Sequence, residues 1–311
     1  MLVQFTYAHR TSDLLKGAVV SSFDICNDPM RALTYRFAAS QFLDGSFKTA
    51  EKSVAIAVSR DAKPVFSTPL NPTLRHIGMV CRMGSLVKDE LTASNTPADL
   101  AAVIKTDLPA PANKTGKPLI HISAKDDTDA LAELVKQGVL DPGCADLASG
   151  IIRSETGQLT ANVKTGAFSG VSAKSEVVIV PAGTAVSGKR LKVSSGERSV
   201  IGIIAPDGSD LAAAKRLLLM HCTNISMQNR RFLDENRTML ADWGGYPMLV
   251  RNNTAGVELD LPGKWKVWAV DLSGKRLKEV PAKRKNGKLC LKLSIANKYG
   301  QVIAYDLEKN N

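Results

Sequence analysis

The sequence predicts a multidomain α+β chain: a partial (β/α)8-barrel remnant and a small α/β segment, followed by antiparallel β-sandwich structure. Three observations predict it. The chain opens on an apolar run, Leu2 to Ala8, that leads through a polar loop into a helical pattern. Apolar runs alternate with helical stretches from there to about residue 150. Beyond that point short apolar runs recur between glycine turns. A length of 311 residues gives room for several buried cores.

Residues 1–50 read as a β–α unit, the last one of a truncated barrel. Val3, Phe5 and Tyr7 share one strand face, Gln4, Thr6 and Ala8 the other. The loop Ser22-Phe23-Asp24-Ile25-Cys26-Asn27-Asp28-Pro29 precedes the helix. Asp28 suits the N-cap and Pro29 the first helical position, where a missing N–H costs nothing. Met30, Leu33 and Phe37 form the apolar stripe, and Asp44-Gly45 ends it. Such a unit cannot bury both faces alone. The reading therefore expects further β–α units upstream of Met1.

Residues 51–150 read as an α/β linking subdomain. Ser53 to Ser59, Ile77 to Cys81 and Leu119 to Ile122 are predicted strands. Thr96-Pro97 opens a predicted short helix through Leu100, Val103 and Ile104. Thr128 to Gln137 is a second predicted helix, with Leu131, Leu134 and Val135 inward and Gly138 as its stop.

Residues 151–255 read as a β-sandwich-like domain and 256–311 as a hairpin-rich unit, possible partners in one core. Asp207-Gly208, Ser273-Gly274 and Asn286-Gly287 are the turn signals, since these residues tolerate positive φ. Evenly spaced short strands between such turns indicate a sandwich. Trp265 and Trp268 fall on opposite faces of one strand, which places one of them in the core.

The formal net charge is +11. Between Leu261 and Gly300, eleven basic residues face two acids. Such a stretch either binds acidic polymers or forms the solvated, lysine-protected face of exposed strands, and the second reading is preferred. No nucleic-acid motif accompanies it and aromatics for base stacking are few, so no specific nucleic-acid partner is expected. No apolar run approaches the roughly 18 residues that span a bilayer. A basic leader and cleavage site are not seen at the start, so no signal peptide is read. The five cysteines lack CxxC spacing and the four histidines lack HExxH spacing. Neither a disulfide framework, a metal site nor any other cofactor is expected. Ala205-Pro206-Asp207-Gly208-Ser209 is a turn, since no GxxxxGK[ST] phosphate loop occurs. His221 and Cys222 are neighbours on one strand and point to opposite faces, so they form no catalytic dyad.

Two stretches carry a family likeness. Phe5-Thr6-Tyr7-Ala8-His9 with the Ser22–Pro29 loop resembles the closing strand and helix of the barrel in large bacterial glycoside hydrolase-like proteins. Ser154 to Gln158, Leu217 to Asn224, Asp242 to Pro247, Lys264 to Asp271 and Gln301 to Leu307 resemble their C-terminal β-sandwich region. The resemblance implies a carbohydrate partner and a secreted or periplasmic parent. It also implies that the two hydrolytic carboxylates lie upstream, so this chain alone has no catalytic residue. Tyr7, His9 and Arg10 would line the sugar site from the strand end, or simply finish the strand. Asp24 is a subsite contact or a loop hydrogen bond. Asp28 is read as a helix cap. Trp243 and Tyr246 stack on sugar rings or pack as core anchors. The alternative to a hydrolase fragment is a non-catalytic carbohydrate-binding or interaction protein.

Overall fold

The computed structural model describes residues 28–58, 76–87, 97–104, 119–122, 124, 126–235, 237–297 and 300–310. It is a mixed α+β chain with several sheets. Two compact units divide it: Phe47–Gly170 is one, and the stretch ending at Ser46 joins Val171–Asn311 in the other. The strand expected at Leu2 to Ala8 lies outside the described residues.

Helix α1 (Pro29–Leu43) begins as its sequence dictates. The Asp28 carboxylate accepts from the N–H groups of Met30 and Arg31, both at 3.0 Å. Two otherwise unpaired donors are thereby satisfied. Met30 and Phe37 are buried against Ile204, Met220, Cys222, Ile295 and Ile303 of the β-rich unit. Gly202 allows this approach: a Cβ there would lie 2.8 Å from the Met220 methyl and 3.2 Å from the Phe37 ring.

In the unit Phe47–Gly170, β1 (Ser53–Val58), β2 (Arg82–Val87), β3 (Leu100–Ile104) and β4 (Ile120–Ile122) form a parallel sheet in the order β2-β1-β3-β4. A short helix α2 (Ile77–Val80) precedes β2, and α3 (Asp127–Lys136) follows β4. Two segments differ from the sequence expectation. Ile77 to Val80 is helical rather than part of a strand, and Cys81 follows as its C-cap. The buried Asp127 carboxylate accepts from the N–H groups of His76 at 2.6 Å and Ile77 at 3.2 Å, so it caps that turn from 50 residues away. Leu100 to Ile104 is a strand rather than a helix. It lies between β1 and β4, and parallel strands buried on both faces read as continuous apolar runs. Helix α3 agrees with expectation, capped by Asp126 and stopped at Gly138, whose φ is +71°. Antiparallel strands β5 (Ala145–Asp146), β6 (Ile151–Arg153), β7 (Leu159–Asn162) and all but the last residue of β8 (Ala167–Val171) complete the unit.

The other unit is antiparallel. Its strands are β9 (Ser175–Val180), β10 (Thr184–Ser187), β11 (Leu191–Ser195), β12 (Ser199–Ile204) and β13 (Arg216–Cys222), then β14 (Ile225–Gln228), β15 (Arg231–Phe232), β16 (Leu240–Asp242) and β17 (Gly245–Val250). The chain ends with β18 (Thr254–Leu259), β19 (Lys264–Val270), β20 (Arg276–Glu279), β21 (Ala282–Lys285), β22 (Lys288–Ser294), β23 (Ala296–Asn297), β24 (Gly300–Gln301) and β25 (Ala304–Asn310). One sheet is ordered β10-β11-β18-β22-β21, and the other contains the run β20-β19-β25-β13-β12-β9. Side chains of both sheets share one apolar core. Val193, Val257 and Leu291 enter it from the first, and Ile201, Leu219, Val267 and Leu307 from the second. Tyr305 of β25 crosses between them: its hydroxyl donates to the Ser294 carbonyl at 3.1 Å and accepts from the Ser294 N–H at 3.2 Å. Burial pushes its phenol up to about 12.

The turn chemistry is as expected at Asn286-Gly287, where φ is +51° and +78° between β21 and β22. The basic stretch has a structural place. Lys278, Lys283, Arg284 and Lys285 lie on β20 and β21, each at the edge of its sheet. Charged edge strands resist pairing with other chains. Trp265 is the core tryptophan, at 6% exposure, with its indole N–H donated to the Pro262 carbonyl at 3.0 Å.

Candidate functional site

Between β13 and β18 the chain leaves the sheets and builds two nested ribbons. β14 pairs with β17, placing Ile225 opposite Val250 and Met227 opposite Met248. β15 pairs with β16 beyond them. The base is closed by the Thr223 hydroxyl on the Arg251 carbonyl at 2.7 Å and by the Arg251 N–H on the Asn224 carbonyl at 2.8 Å. At the tip, the Asp234 carboxylate accepts from the N–H groups of Thr238 and Met239 and from the Thr238 hydroxyl. These bonds hold its carboxyl below the usual range.

A groove of about 360 Å³ runs beside these ribbons, lined by Asn224, Ser226, Arg230, Phe232, Arg237, Leu249, Val250 and Arg251. The Arg230 guanidinium lies over the Trp243 ring, 5.5 Å from its centroid. The Arg237 guanidinium lies over Phe232, at 5.9 Å. Each ring attracts the cation through its negative face and restricts it. Arg251 pairs with Glu197 at 3.1 Å, and Arg231 with Asp242 at 3.5 Å. Among the described residues no carboxylate partner is seen for Arg230 or Arg237, and the groove lining contains no acid. Chemically, the groove offers guanidinium, amide and hydroxyl groups above an aliphatic patch.

The expected site residues divide between places. Tyr7, His9, Arg10 and Asp24 lie outside the described residues. Trp243 is half-buried beneath Arg230, so the ring orders a cation instead of offering that face to a sugar. Tyr246 stands on β17 at 47% exposure. Arg230, Phe232, Arg237 and Arg251 were not singled out from the sequence. Their signal was the cluster of arginines flanking the aromatic loop.

His221 is fully buried, and its Nε2 is 3.1 Å from the Asn253 amide nitrogen. That amide also donates to Ser195 Oγ at 2.7 Å, while the Asn253 side-chain oxygen accepts from the Glu197 N–H at 3.2 Å. Asn253 therefore donates to His221 Nε2, and the ring is neutral with its proton on Nδ1. Burial lowers its pKa to about 4. The network braces the sheet beside the ribbon base. Cys81, Cys144 and Cys222 are buried free thiols, and burial pushes Cys81 and Cys222 up to about 12. Among the described residues there is no group of three or more His, Cys, Asp and Glu that could hold a metal ion. None of their helices is long and apolar enough to cross a membrane.

No family model, curated protein or solved structure matches this chain.

Proposed function

We propose that this chain is a non-hydrolytic, carbohydrate-binding portion of a glycoside hydrolase-like protein. In this reading the two sheets of the β-rich unit form a β-sandwich, and the ribbons between β13 and β18 carry the glycan contact. The observation that supports it best is the groove beside those ribbons, where Asn224, Ser226 and three arginines border Leu249 and Val250. Sugars are held by such pairing of planar hydrogen-bonding groups with a small apolar surface. Tyr246, exposed on β17, offers a further ring for stacking. The barrel-closing role of residues 1–50, and the upstream position of the hydrolytic carboxylates, rest on the sequence resemblance alone.

Affinity electrophoresis in gels containing neutral and acidic polysaccharides tests the reading. Retardation on at least one glycan, weakened by Arg230→Gln, is the expected result. No retardation on any glycan would remove it. Robust turnover of an aryl glycoside by the purified chain would overturn the non-hydrolytic part.

A further inference from the structure

Resting on the carbohydrate reading above, we infer that the ribbon groove takes an anionic sugar unit, whose carboxylate or sulfate is gripped by Arg230 and Arg237. Arg231 and Arg251 each have a carboxylate within 3.5 Å, at Asp242 and Glu197. For Arg230 and Arg237 none is seen among the described residues, although both line the groove. The Nε of Arg230 is buried with no acceptor among those residues. Two cations gathered in one concavity, with no carboxylate partner among the described residues, favour an anion there.

The geometry favours oxyanion recognition in particular. Trp243 and Phe232 hold the two guanidiniums by cation–π contact, at 5.5 and 5.9 Å. A restrained planar fork matches a carboxylate or sulfate through paired N–H···O bonds and loses little freedom on binding. A neutral sugar would cover the same cations while supplying no charge. Nucleic-acid binding is a poorer fit. It relies on open aromatic faces for stacking bases, and here each of these rings has a guanidinium over a face. Asn224 and Ser226, which also line the groove, add groups for ring hydroxyls.

The test compares matched gels: polygalacturonate against its methyl ester, and dextran sulfate against dextran. The full chain is expected to bind the anionic member at least about tenfold more tightly, the usual scale of a charge-assisted bond. Arg230→Gln and Arg237→Gln should each weaken that binding about tenfold at about 0.1 M salt. Arg230→Lys, which keeps charge and loses the fork, should fall between. Lys283→Gln with Lys285→Gln, on the β21 edge, should change it less than about twofold. Thermal unfolding of each variant shows that the fold is retained. If Arg230→Gln unfolds, Arg237→Gln and Arg230→Lys decide the matter. Equal binding of the neutral members overturns the anionic assignment and leaves the carbohydrate reading standing. Equal binding of polyglutamate or single-stranded DNA overturns it in favour of undifferentiated charge. Absence of binding to every glycan removes both.

Discussion

Arg276 lies flat against Trp268, its guanidinium carbon 3.8 Å from the ring centroid, and from there its Nε donates to Asp306 at 2.7 Å. Trp268 stands directly across from Asp306 in the β19–β25 pairing. Arg216 reaches the same carboxylate from the other side at 2.7 and 3.2 Å. The outer tryptophan of β19 is thus covered by an arginine that also closes a charge cluster. It serves the outer face of the sheet and is no open platform for a ligand.

Asp306→Ala should destabilise the protein by about 2 kcal/mol. The figure is below that for a fully buried pair, because Arg216 and Arg276 keep contact with water. Burial opposes ionisation of Asp306, but the two guanidiniums prevail and hold its carboxyl below the usual range. A depressed carboxyl contributes stability above its unfolded pKa of about 3.9, and that contribution is lost as pH falls through the folded value. Urea unfolding at pH 7 and pH 2.5 checks this. The gap between wild type and variant should close at the lower pH.

His221 should produce a separate acid-sensitive step. Its folded pKa is about 4 against 6.5 unfolded, because burial disfavours the cation. The unfolded chain binds the extra proton first, so stability is complete above 6.5 and falls as pH drops towards 4. The loss is about 3 kcal/mol at most. Protonation would also set an N–H against the Asn253 amide that now donates to Nε2. His221→Leu should be less stable at neutral pH, with the Asn253 donor left unpaired, yet show a flatter dependence between pH 6.5 and 4. Urea midpoints across that window measure it. An unchanged slope in the variant would assign the acid response elsewhere.

Much of the local architecture was legible because its causes are local. Asp28-Pro29 carries its own cap, and the alternation Lys264 to Val270 carries its own core face, with Trp265, Val267 and Ala269 inward. The failures have long-range causes. Nothing near Ile77 announces that Asp127 will cap its turn, and an isolated run of apolar residues is ambiguous between helix and strand. Leu100 to Ile104 became a strand because it sits between β1 and β4. The groove was opaque for the same reason. Arg230 meets Trp243, and Arg237 meets Phe232, only once the ribbons have folded back on themselves.

Glu176 is a buried carboxylate whose role is structural. It accepts from the N–H groups of Arg190 at 2.9 Å and Leu191 at 3.0 Å, filling the turn that joins β10 to β11. Burial raises its pKa, with the backbone bonds only partly offsetting this. A raised carboxyl makes stability decline as pH climbs from its unfolded pKa, near 4.5, through the folded value. Glu176→Gln removes that charge but aims an amide N–H at a ring of donors. It should cost about 1 kcal/mol, and Glu176→Ala about 2, since the Arg190 and Leu191 N–H groups then lose their acceptor. Chemical denaturation at neutral pH ranks the two. A variant as stable as wild type would show that water replaces the carboxylate freely.

Gly244 tests whether the ribbons act as one binding element. Its φ is +71°, and a Cβ there would lie 2.1 Å from the Gln228 carbonyl and 2.6 Å from the Arg230 N–H nitrogen. Both neighbours are backbone, so neither can rotate aside, and the left-handed conformation adds strain for any other residue. Gly244→Ala must therefore push β14 away from β17 where the Arg230 guanidinium is aligned on Trp243. The shared core of the two sheets contains no ribbon residue, so the damage should stay local. Global stability is expected to fall by about 1–2 kcal/mol, whereas glycan retardation should be lost almost entirely. Hydrogen exchange should quicken at residues 225–250 and stay unchanged across β11, β18 and β22. Equal loss of protection in the sheets would mean that the ribbons are part of the main folding unit. Retained glycan binding with a displaced ribbon would move the contact surface away from Arg230.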